Sequence, residues 1–288
     1  MTHAMPGSLV WLASYPKSGN TWLRAMLTNL LHAPGDDFSV NALAGGITGG
    51  DRHALDDACA ISSAEMTAAE LLPYRALLHR QMAAEATAPF FVKTHDQYAI
   101  GPDGTALFPA DASRAAIYIV RNPLDVALSF AHHSQQDLDA TIARMADPHA
   151  TLNVWPDRIS DFLPVHLGRW SDHVAGWTQQ QAIRVCLLRY EDMLADPAMA
   201  LKRVADAVGI DTNPEAVAAA VAASSLENLQ LREAAEGFSE KPANMPAFFR
   251  SGRAGEWTAV LSEAQVARIV ADHRAQMAAL DYLPPSIA

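Results

Sequence analysis

A lysine, a serine and a glycine stand where a strand-like run passes into a helix-like run. The stretch LVWLAS at 9–14 leads into SYPKSGNTW at 14–22, and LRAMLTNLL follows it. Backbone N–H groups point outward at such a junction, and the helix dipole adds partial positive charge there. Lys17, Ser18 and Gly19 therefore predict a cradle for a phosphate or sulfate group, with an ordinary surface loop as the alternative.

Three neighbouring residues extend this predicted cradle. Asn20 and Thr21 add side-chain donors, and Trp22 can stack on a nucleotide base, a contact that contributes about 1–3 kcal/mol in single-strand binders. A Walker loop carries its lysine and Ser/Thr after the second glycine, whereas here the lysine precedes the glycine. A P-loop kinase or nucleotide triphosphatase is therefore the less favoured alternative.

A second anion-binding element is predicted at 120–130, VRNPLDVALSF, which again follows an apolar run. Arg121 stands just beyond the carboxyl end of a predicted strand, the edge where open α/β sheets bind ligands. Ser129 follows eight residues later, about two helical turns away, and is placed to face the same anion. An arginine fork together with a hydroxyl suits a phosphomonoester, and a capped helix with an exposed arginine is the alternative.

A third and weaker signal is FFRSGRAGEW at 248–257. Arg250 and Ser251 stand beside Gly252, whose amide can reach an anion. The stretch alone also fits a flexible surface turn.

The elements that must position these residues alternate between strands and helices. Apolar runs at 9–14, 89–93, 115–120 and 183–189 are nearly continuous, which is typical of parallel strands covered on both faces. Capping residues precede several helical stretches: Asn122 and Asp196 and Asn213 before prolines, and Ser262 with Gln265 as a capping box. The pattern predicts an α/β fold with a central parallel sheet flanked by helices.

The chain of 288 residues shows no clean linker, and we expect one domain over 1–288. Residues 34–62, 133–160 and 233–248 are predicted to be irregular. Cys186, in an apolar run, is expected to be a buried, inert thiol, and two cysteines indicate no disulfide framework.

Composition excludes several classes of function. The net charge of −11 argues against nucleic-acid binding, and the histidines show no metal-binding spacing, so no metal is expected. Apolar runs are too short to span a membrane, and the N-terminus does not look like a signal peptide. A cytoplasmic location is therefore predicted, without a membrane or nucleic-acid partner.

Taken together, YPKSGNTW, RNPLDVALS, RYEDM at 189–193 and FRSGRAGEW occur in an order that resembles the cytosolic-type sulfotransferases. These enzymes use 3′-phosphoadenosine 5′-phosphosulfate (PAPS) and release 3′-phosphoadenosine 5′-phosphate (PAP). The resemblance runs from about residue 9 to about residue 270 and suggests a bacterial member with a P-loop-like fold.

The resemblance implies a role for each matching position. Residues Lys17, Ser18, Gly19, Asn20, Thr21 and Trp22 would hold the 5′-phosphosulfate, with the tryptophan against adenine. The 3′-phosphate would be held by Arg121, Ser129, Arg250, Ser251 and Gly252. Tyr190 and Ser224 would lie near the adenine. No metal is implied.

The same resemblance implies the catalytic residues, within KTH at 93–95. His95 matches the general base, Lys93 a stabiliser of the transferring group, and Lys17 the neutraliser of the leaving oxygen. Considered without the resemblance, His95 follows a predicted strand, and a structural histidine is at least as good an interpretation. Its ordinary pKa of about 6.5 suits proton abstraction near neutral pH.

Some positions depart from the family pattern. Asn20 replaces a common threonine, Ser251 replaces the usual lysine, and Leu226 stands where an aromatic residue often covers adenine. Weaker nucleotide binding than in close relatives is expected. The family's dimer segment is not reproduced in residues 258–267, which predicts a monomer or a dimer of another kind.

The acceptor is predicted to be a small molecule with a hydroxyl or amine. An aromatic or polycyclic natural product is one candidate, because bacterial family members that tailor glycopeptide antibiotics share similar opening motifs. Loops 34–62 and 133–160, with Trp155 and Phe162 nearby, are expected to form an apolar lid. A catalytically silent nucleotide-binding protein is the remaining alternative.

Overall fold

The computed structural model describes residues 8–32, 38–46, 50–155, 157–242 and 245–285. Contacts divide the chain into two compact units. The first unit comprises Met1–Tyr15, Gly45–Tyr118 and Met145–Leu187, and the second comprises Pro16–Ala44, Ile119–Arg144 and Leu188–Ala288. Each unit draws on three separate segments of the chain, and the single domain expected over 1–288 stays a prediction.

Four strands lie close to the four predicted runs, and two short strands, at 151–152 and 165–166, were not predicted. They are β1 (Leu9–Ser14), β2 (Phe90–Thr94), β3 (Ser113–Val120), β4 (Thr151–Leu152), β5 (Val165–His166) and β6 (Val185–Arg189). Four of them form one sheet in the order β2-β1-β3-β6, and β4 pairs with β5 separately. β1 runs parallel to β2 with Ala13 opposite Thr94, so the carboxyl ends of these two strands lie side by side.

Burial of the strands follows their place in the sheet. All six residues of β1 are buried, and β3 is buried except at Arg114. β6 is only half-buried because it is an edge strand, so the expectation that both its faces are covered is wrong. For the same reason Cys186 is a half-buried rather than a buried thiol.

Helices lie between and after these strands along the chain. They are α1 (Asn20–Leu31), α2 (Arg52–Cys59), α3 (Ala68–Glu85), α4 (Pro123–Ser134), α5 (Leu138–Met145), α6 (Trp170–Gln179), α7 (Tyr190–Ala195), α8 (Pro197–Val208), α9 (Pro214–Ala223), α10 (Leu226–Glu236), α11 (Trp257–Val260) and α12 (Glu263–Ala279). The predicted caps are confirmed: the Asn122, Asp196 and Asn213 side chains accept backbone N–H bonds, and Ser262 forms a capping box with Gln265.

All three stretches expected to be irregular contain helical residues. Asp51 caps α2 within 34–62, and α5 lies within 133–160, where α4 also continues to Ser134. α10 likewise enters 233–248 and ends at Glu236. Short polar helices give little apolar periodicity, which is why the sequence did not reveal them. Residues 34–37, 47–49, 156 and 243–244 of these stretches lie outside the described residues.

Candidate functional site

The loop between β1 and α1 belongs to the second unit and turns sharply. Lys17 and Gly19 both have left-handed backbones, with φ of 67° and 102°. The Gly19 carbonyl accepts the amides of Trp22 and Leu23, which starts α1 directly after the glycine. Ser18 is fully buried, and its Oγ has no hydrogen-bond partner within the described chain. A buried hydroxyl of this kind at a helix N-terminus suits a phosphate or sulfate oxygen.

Gly19 also allows an aromatic ring to approach the loop. A Cβ placed on Gly19 would lie 2.6 Å from Cδ2 of Tyr190, closer than real side chains approach. The glycine is therefore required both by its backbone conformation and by the ring packed against it.

We expect Gly19→Ala to lower the free energy of unfolding by about 2–5 kcal/mol, the sum of left-handed strain and an overpacked ring. Urea denaturation followed by circular dichroism measures this loss. Gly104→Ala is the matched control, because Gly104 is also left-handed, with φ of 83°, but has nothing within 4 Å of an added Cβ. Equal losses in the two variants would show that the Tyr190 contact contributes nothing.

Lys17 lies beside an aromatic ring of the third motif. Its Nζ sits 4.4 Å from the centroid of the Phe248 ring, a cation–π distance. The Phe248 ring also meets the ring of His133 edge-on at 6.0 Å. These contacts place the Lys17 ammonium against Phe248, the first residue of the third motif.

Arg121 connects the first motif to the third. Its Nη1 donates to the Lys17 carbonyl at 3.2 Å, and its Nη2 donates to the Arg253 carbonyl at 2.9 Å. The guanidinium stacks over the Tyr190 ring at 4.4 Å, and burial raises the pKa of that phenol. Arg121 is 7% exposed, and its Nε has no partner among the described residues. A buried arginine N–H of this kind suits an anionic ligand.

Ser129 faces the third motif from α4. Asp125 and His133 stand four residues before and after it, on the same helical face. Asp125 accepts the amides of Gly255 and Trp257, and His133 contacts Phe248. The half-buried Ser129 lies between these contacts on that face.

Both ends of the third motif are held by buried carboxylates. At one end, the buried Glu233 carboxylate accepts the amides of Phe248 and Phe249 at 2.7 and 3.0 Å. At the other end, the buried Asp125 carboxylate holds the amides of Gly255 and Trp257 at 2.7 and 3.1 Å. These four bonds favour the anion-binding interpretation over a flexible surface turn.

Within this motif, one carboxylate holds two of the predicted site residues. Oε2 of Glu256 accepts from Nη2 of Arg250 at 2.8 Å and from Oγ of Ser251 at 2.9 Å. Gly252 is left-handed, and a Cβ there would lie 3.3 Å from a methyl group of Leu226.

The residues predicted near adenine also lie together in the second unit. Nε1 of Trp22 donates to the Ser224 carbonyl at 3.0 Å, and its ring meets Tyr190 edge-on at 6.1 Å. The Ser224 hydroxyl is buried and bonded to Ala220 and Asn29. Ser224 therefore positions Trp22 through its backbone.

His95 and Lys93 belong to the first unit, where both are half-buried. Nδ1 of His95 lies 2.7 Å from the carbonyl oxygen of Ser14 at the end of β1. A carbonyl only accepts, so Nδ1 carries the proton and Nε2 carries the lone pair of the neutral ring. This tautomer is the one that a general base acting through Nε2 requires.

The His95 backbone is held by a buried histidine. Nε2 of His173 donates to the His95 carbonyl at 3.1 Å, and its Nδ1 accepts from the Tyr118 hydroxyl at 2.8 Å. Burial lowers the pKa of His173 to about 4, so the ring stays neutral at physiological pH. Next along the chain, the buried Asp96 carboxylate pairs with Arg75 at 2.7 Å.

Comparison with known proteins decides the family. A model of the sulfotransferase domain matches residues 8–281 of the 288. The chain belongs to the sulfotransferase family. The resemblance drawn from its motifs is thereby confirmed.

Curated relatives of this sulfotransferase include animal and plant enzymes. Sulfotransferase 1A1 of the dog is 26% identical over 284 residues, which covers 95% of this chain and 84% of the relative. Cytosolic sulfotransferase 17 of Arabidopsis thaliana is 26% identical over 290 residues, with 90% and 71% covered.

Solved structures show the same fold. Mouse sulfotransferase SULT7A1, complexed with PAP, superposes with a TM-score of 0.61 at 19% identity, covering 94% of this chain and 85% of that one. A retinol dehydratase in complex with androsterone and PAP gives 0.62 at 18% identity, covering 98% and 85%. The predicted α/β class, with a central parallel sheet flanked by helices, is confirmed.

The structure of the sulfotransferase thus gathers two groups of predicted residues. In the second unit, the loop at 17–22 and the residues Arg121, Tyr190, Ser224 and 250–252 share direct or chain-adjacent contacts, and Ser129 lies on the α4 face that carries Asp125 and His133. In the first unit, His95 follows β2 and meets the end of β1.

Sequence reasoning missed the carboxylates that hold the second group. Asp125, Glu233 and Glu256 look like ordinary helix or loop acids in the sequence, and only their buried or shared contacts reveal their roles. For Asp125, its position within the RNPLDVALS motif was the one sequence feature that could have indicated a role in the site.

The described residues contain no group of three or more His, Cys, Asp or Glu residues arranged to hold a metal ion. Among the described helices, none has the length and apolar character of a membrane span.

Proposed function

We propose that this sulfotransferase takes its sulfuryl group from PAPS and releases PAP. The observation that carries the proposal is the pair of buried donors Ser18 Oγ and Arg121 Nε, which have no partner in the described chain. Both are suited to phosphate oxygens. PAP in the solved structures of two relatives supports this choice of nucleotide.

The two groups of donors suit two ends of the nucleotide. Residues 17–22 offer loop amides and the Lys17 ammonium for the 5′-phosphosulfate. Arg121, Ser129 and residues 250–252 offer donors for the 3′-phosphate. Trp22 and Tyr190, with Ser224 as a support, provide aromatic surface for adenine.

When bound, PAPS supplies an activated sulfuryl group, and transfer of that group to a hydroxyl leaves PAP. Nε2 of His95 takes the proton of the acceptor hydroxyl while the acceptor oxygen bonds to sulfur. Lys17 holds positive charge against the departing phosphate oxygen, where negative charge develops as its bond to sulfur breaks. Lys93 stabilises the transferring group, and the cations remove the need for a metal.

The acceptor is proposed to be a small apolar molecule with a hydroxyl group. Relatives support this class, since retinol dehydratase has been solved with androsterone and with retinol. In the first unit, residues 154–162 expose the large side chains Val154, Trp155, Ile159 and Phe162. Residues 50–52 are bonded to this segment through Arg52, which donates to the carbonyls of Ser160 and Asp161. We propose that this paired segment lines the acceptor pocket, and that an aromatic or polycyclic ring fills it.

We also propose that the protein acts in the cytoplasm, as a monomer or as a dimer that does not use residues 258–267. α11 within that segment exposes Val260, and it lacks the family's dimer sequence.

Two measurements test the proposed function. Calorimetry with PAP is expected to show one site per chain, and radiolabelled PAPS with a panel of hydroxylated ring compounds is expected to yield a labelled acceptor. Arg121→Met is expected to weaken PAP binding by about 10²-fold, because the buried Nε donor is lost together with the two bonds that connect Arg121 to the Lys17 and Arg253 carbonyls. Failure of the wild type to bind PAP would reject the proposal, and binding without transfer to any acceptor would favour a silent nucleotide-binding protein.

A further inference from the structure

The third motif presents its two polar side chains to a carboxylate of its own. Oε2 of Glu256 receives Nη2 of Arg250 and Oγ of Ser251, at 2.8 and 2.9 Å. Two donors from adjacent residues that converge on one anionic oxygen form the arrangement that a phosphate oxygen requires.

We propose that Glu256 competes with the 3′-phosphate for Arg250 and Ser251, and thereby sets how strongly the enzyme prefers nucleotides that carry a 3′-phosphate. This inference rests on the proposed function, since it takes Arg250 and Ser251 as 3′-phosphate ligands.

The competition follows from charge. A phosphomonoester carries about −1.5 to −2 charges near pH 7, and like charges that share donors repel one another. The Glu256 side chain is 26% exposed, so water only partly screens its charge. Binding of the 3′-phosphate must therefore separate Glu256 from both donors or hold two anions on them.

The other carboxylate near this position is arranged differently. Asp125 is 2% exposed, and its two oxygens are engaged by the amides of Gly255 and Trp257. Asp125 thus fixes the backbone of the motif, whereas Glu256 holds the side chains that the 3′-phosphate needs. Burial is the main cause of the raised pKa of Tyr190, and the negative charges of Asp125 and Glu256 raise it further. Both carboxylates therefore lie near the Tyr190 ring.

The presence of Ser251 in place of the family's usual lysine increases the effect of Glu256 on 3′-phosphate binding. The family's usual lysine would bring a second full charge to this position, and Ser251 brings only a hydroxyl. The carboxylate of Glu256 therefore balances the one formal charge of Arg250 within residues 250–252.

Calorimetry with PAP and with adenosine 5′-monophosphate tests the inference, since the two nucleotides differ only in the 3′-phosphate. We expect Glu256→Gln to raise PAP affinity about tenfold, because the amide keeps the shape and removes the charge. Affinity for adenosine 5′-monophosphate is expected to change by less than about twofold. The matched control is Glu215→Gln, an exposed acid at the start of α9.

A second variant makes the contact itself measurable. When Arg250 is already replaced by glutamine, adding Glu256→Gln is expected to raise PAP affinity much less than it does in the wild type. The reason is that the guanidinium for which Glu256 and the 3′-phosphate compete is absent. If Glu256→Gln does not fold, Glu256→Asp keeps the charge with a shorter reach, and a smaller gain in PAP affinity is expected.

Unchanged or weaker PAP binding by Glu256→Gln would overturn the inference, because Glu256 would then orient Arg250 instead of opposing the phosphate. An equal gain for both nucleotides would also overturn it. Wild-type protein that binds neither PAP nor PAPS would instead reject the proposed function itself.

Discussion

Replacing His95 with glutamine is expected to lower kcat by about 10²–10⁴-fold, the usual contribution of a general base. The neutral ring donates through Nδ1 to the Ser14 carbonyl at 2.7 Å, which leaves the lone pair on Nε2. Glutamine can replace the hydrogen bond but cannot take a proton near neutral pH. PAP affinity is expected to stay within about twofold, because the proposed nucleotide ligands lie on other segments.

A pH profile distinguishes this role from a structural one. In the wild type, kcat/KM is expected to fall under acidic conditions, because a protonated His95 ring has no lone pair. His95→Gln is expected to lose this acidic limb along with its activity. The control is His149→Gln, at an exposed histidine outside both groups of site residues. Near-normal turnover in His95→Gln with bound PAPS would eliminate His95 as the base.

The strands and the capped helices could be predicted from the sequence because local signals determine them. The run LVWLAS coincides with β1, and prolines after Asp196 and Asn213 mark helix starts that the structure retains. α2 escaped prediction because its eight residues, RHALDDAC, carry few apolar side chains. Packing and the Asp51 cap stabilise that helix, and neither gives an apolar periodicity.

The sequence could nominate candidate site residues where a residue type alone implies a ligand, as for Lys17, Gly19 and Arg121, and these assignments stay predictions. The site was not predictable where the chemistry depends on distant partners. Nothing in the sequence indicates that Glu233 holds the amides of Phe248 and Phe249, which come 15 and 16 residues later. The tautomer of His95 depends likewise on a carbonyl 81 residues away. Such contacts arise from tertiary folding and leave no local pattern.

The second large effect is expected at Lys17. Lys17→Met should lower kcat by about 10²–10³-fold, the usual cost of removing one group that stabilises transition-state charge. PAP affinity should fall far less, because negative charge builds on the leaving oxygen only as the bond to sulfur breaks. The loop itself is expected to survive, since Lys17 contributes its carbonyl, not its side chain, to the bond with Arg121.

Steady-state kinetics with calorimetry separates these two contributions for Lys17. Lys202→Met is the matched control, because Lys202 is 57% exposed and pairs only with Asp206 among the contacts described for it. Lys17→Arg keeps the charge but replaces a compact ammonium with a planar fork, and should recover part of kcat. Phe248→Leu removes the ring 4.4 Å from the ammonium and should leave kcat within about threefold. If Lys17→Met instead lowered PAP affinity and left kcat unchanged, Lys17 would contribute to nucleotide binding and not to the transition state. Another group would then have to stabilise the charge on the leaving oxygen.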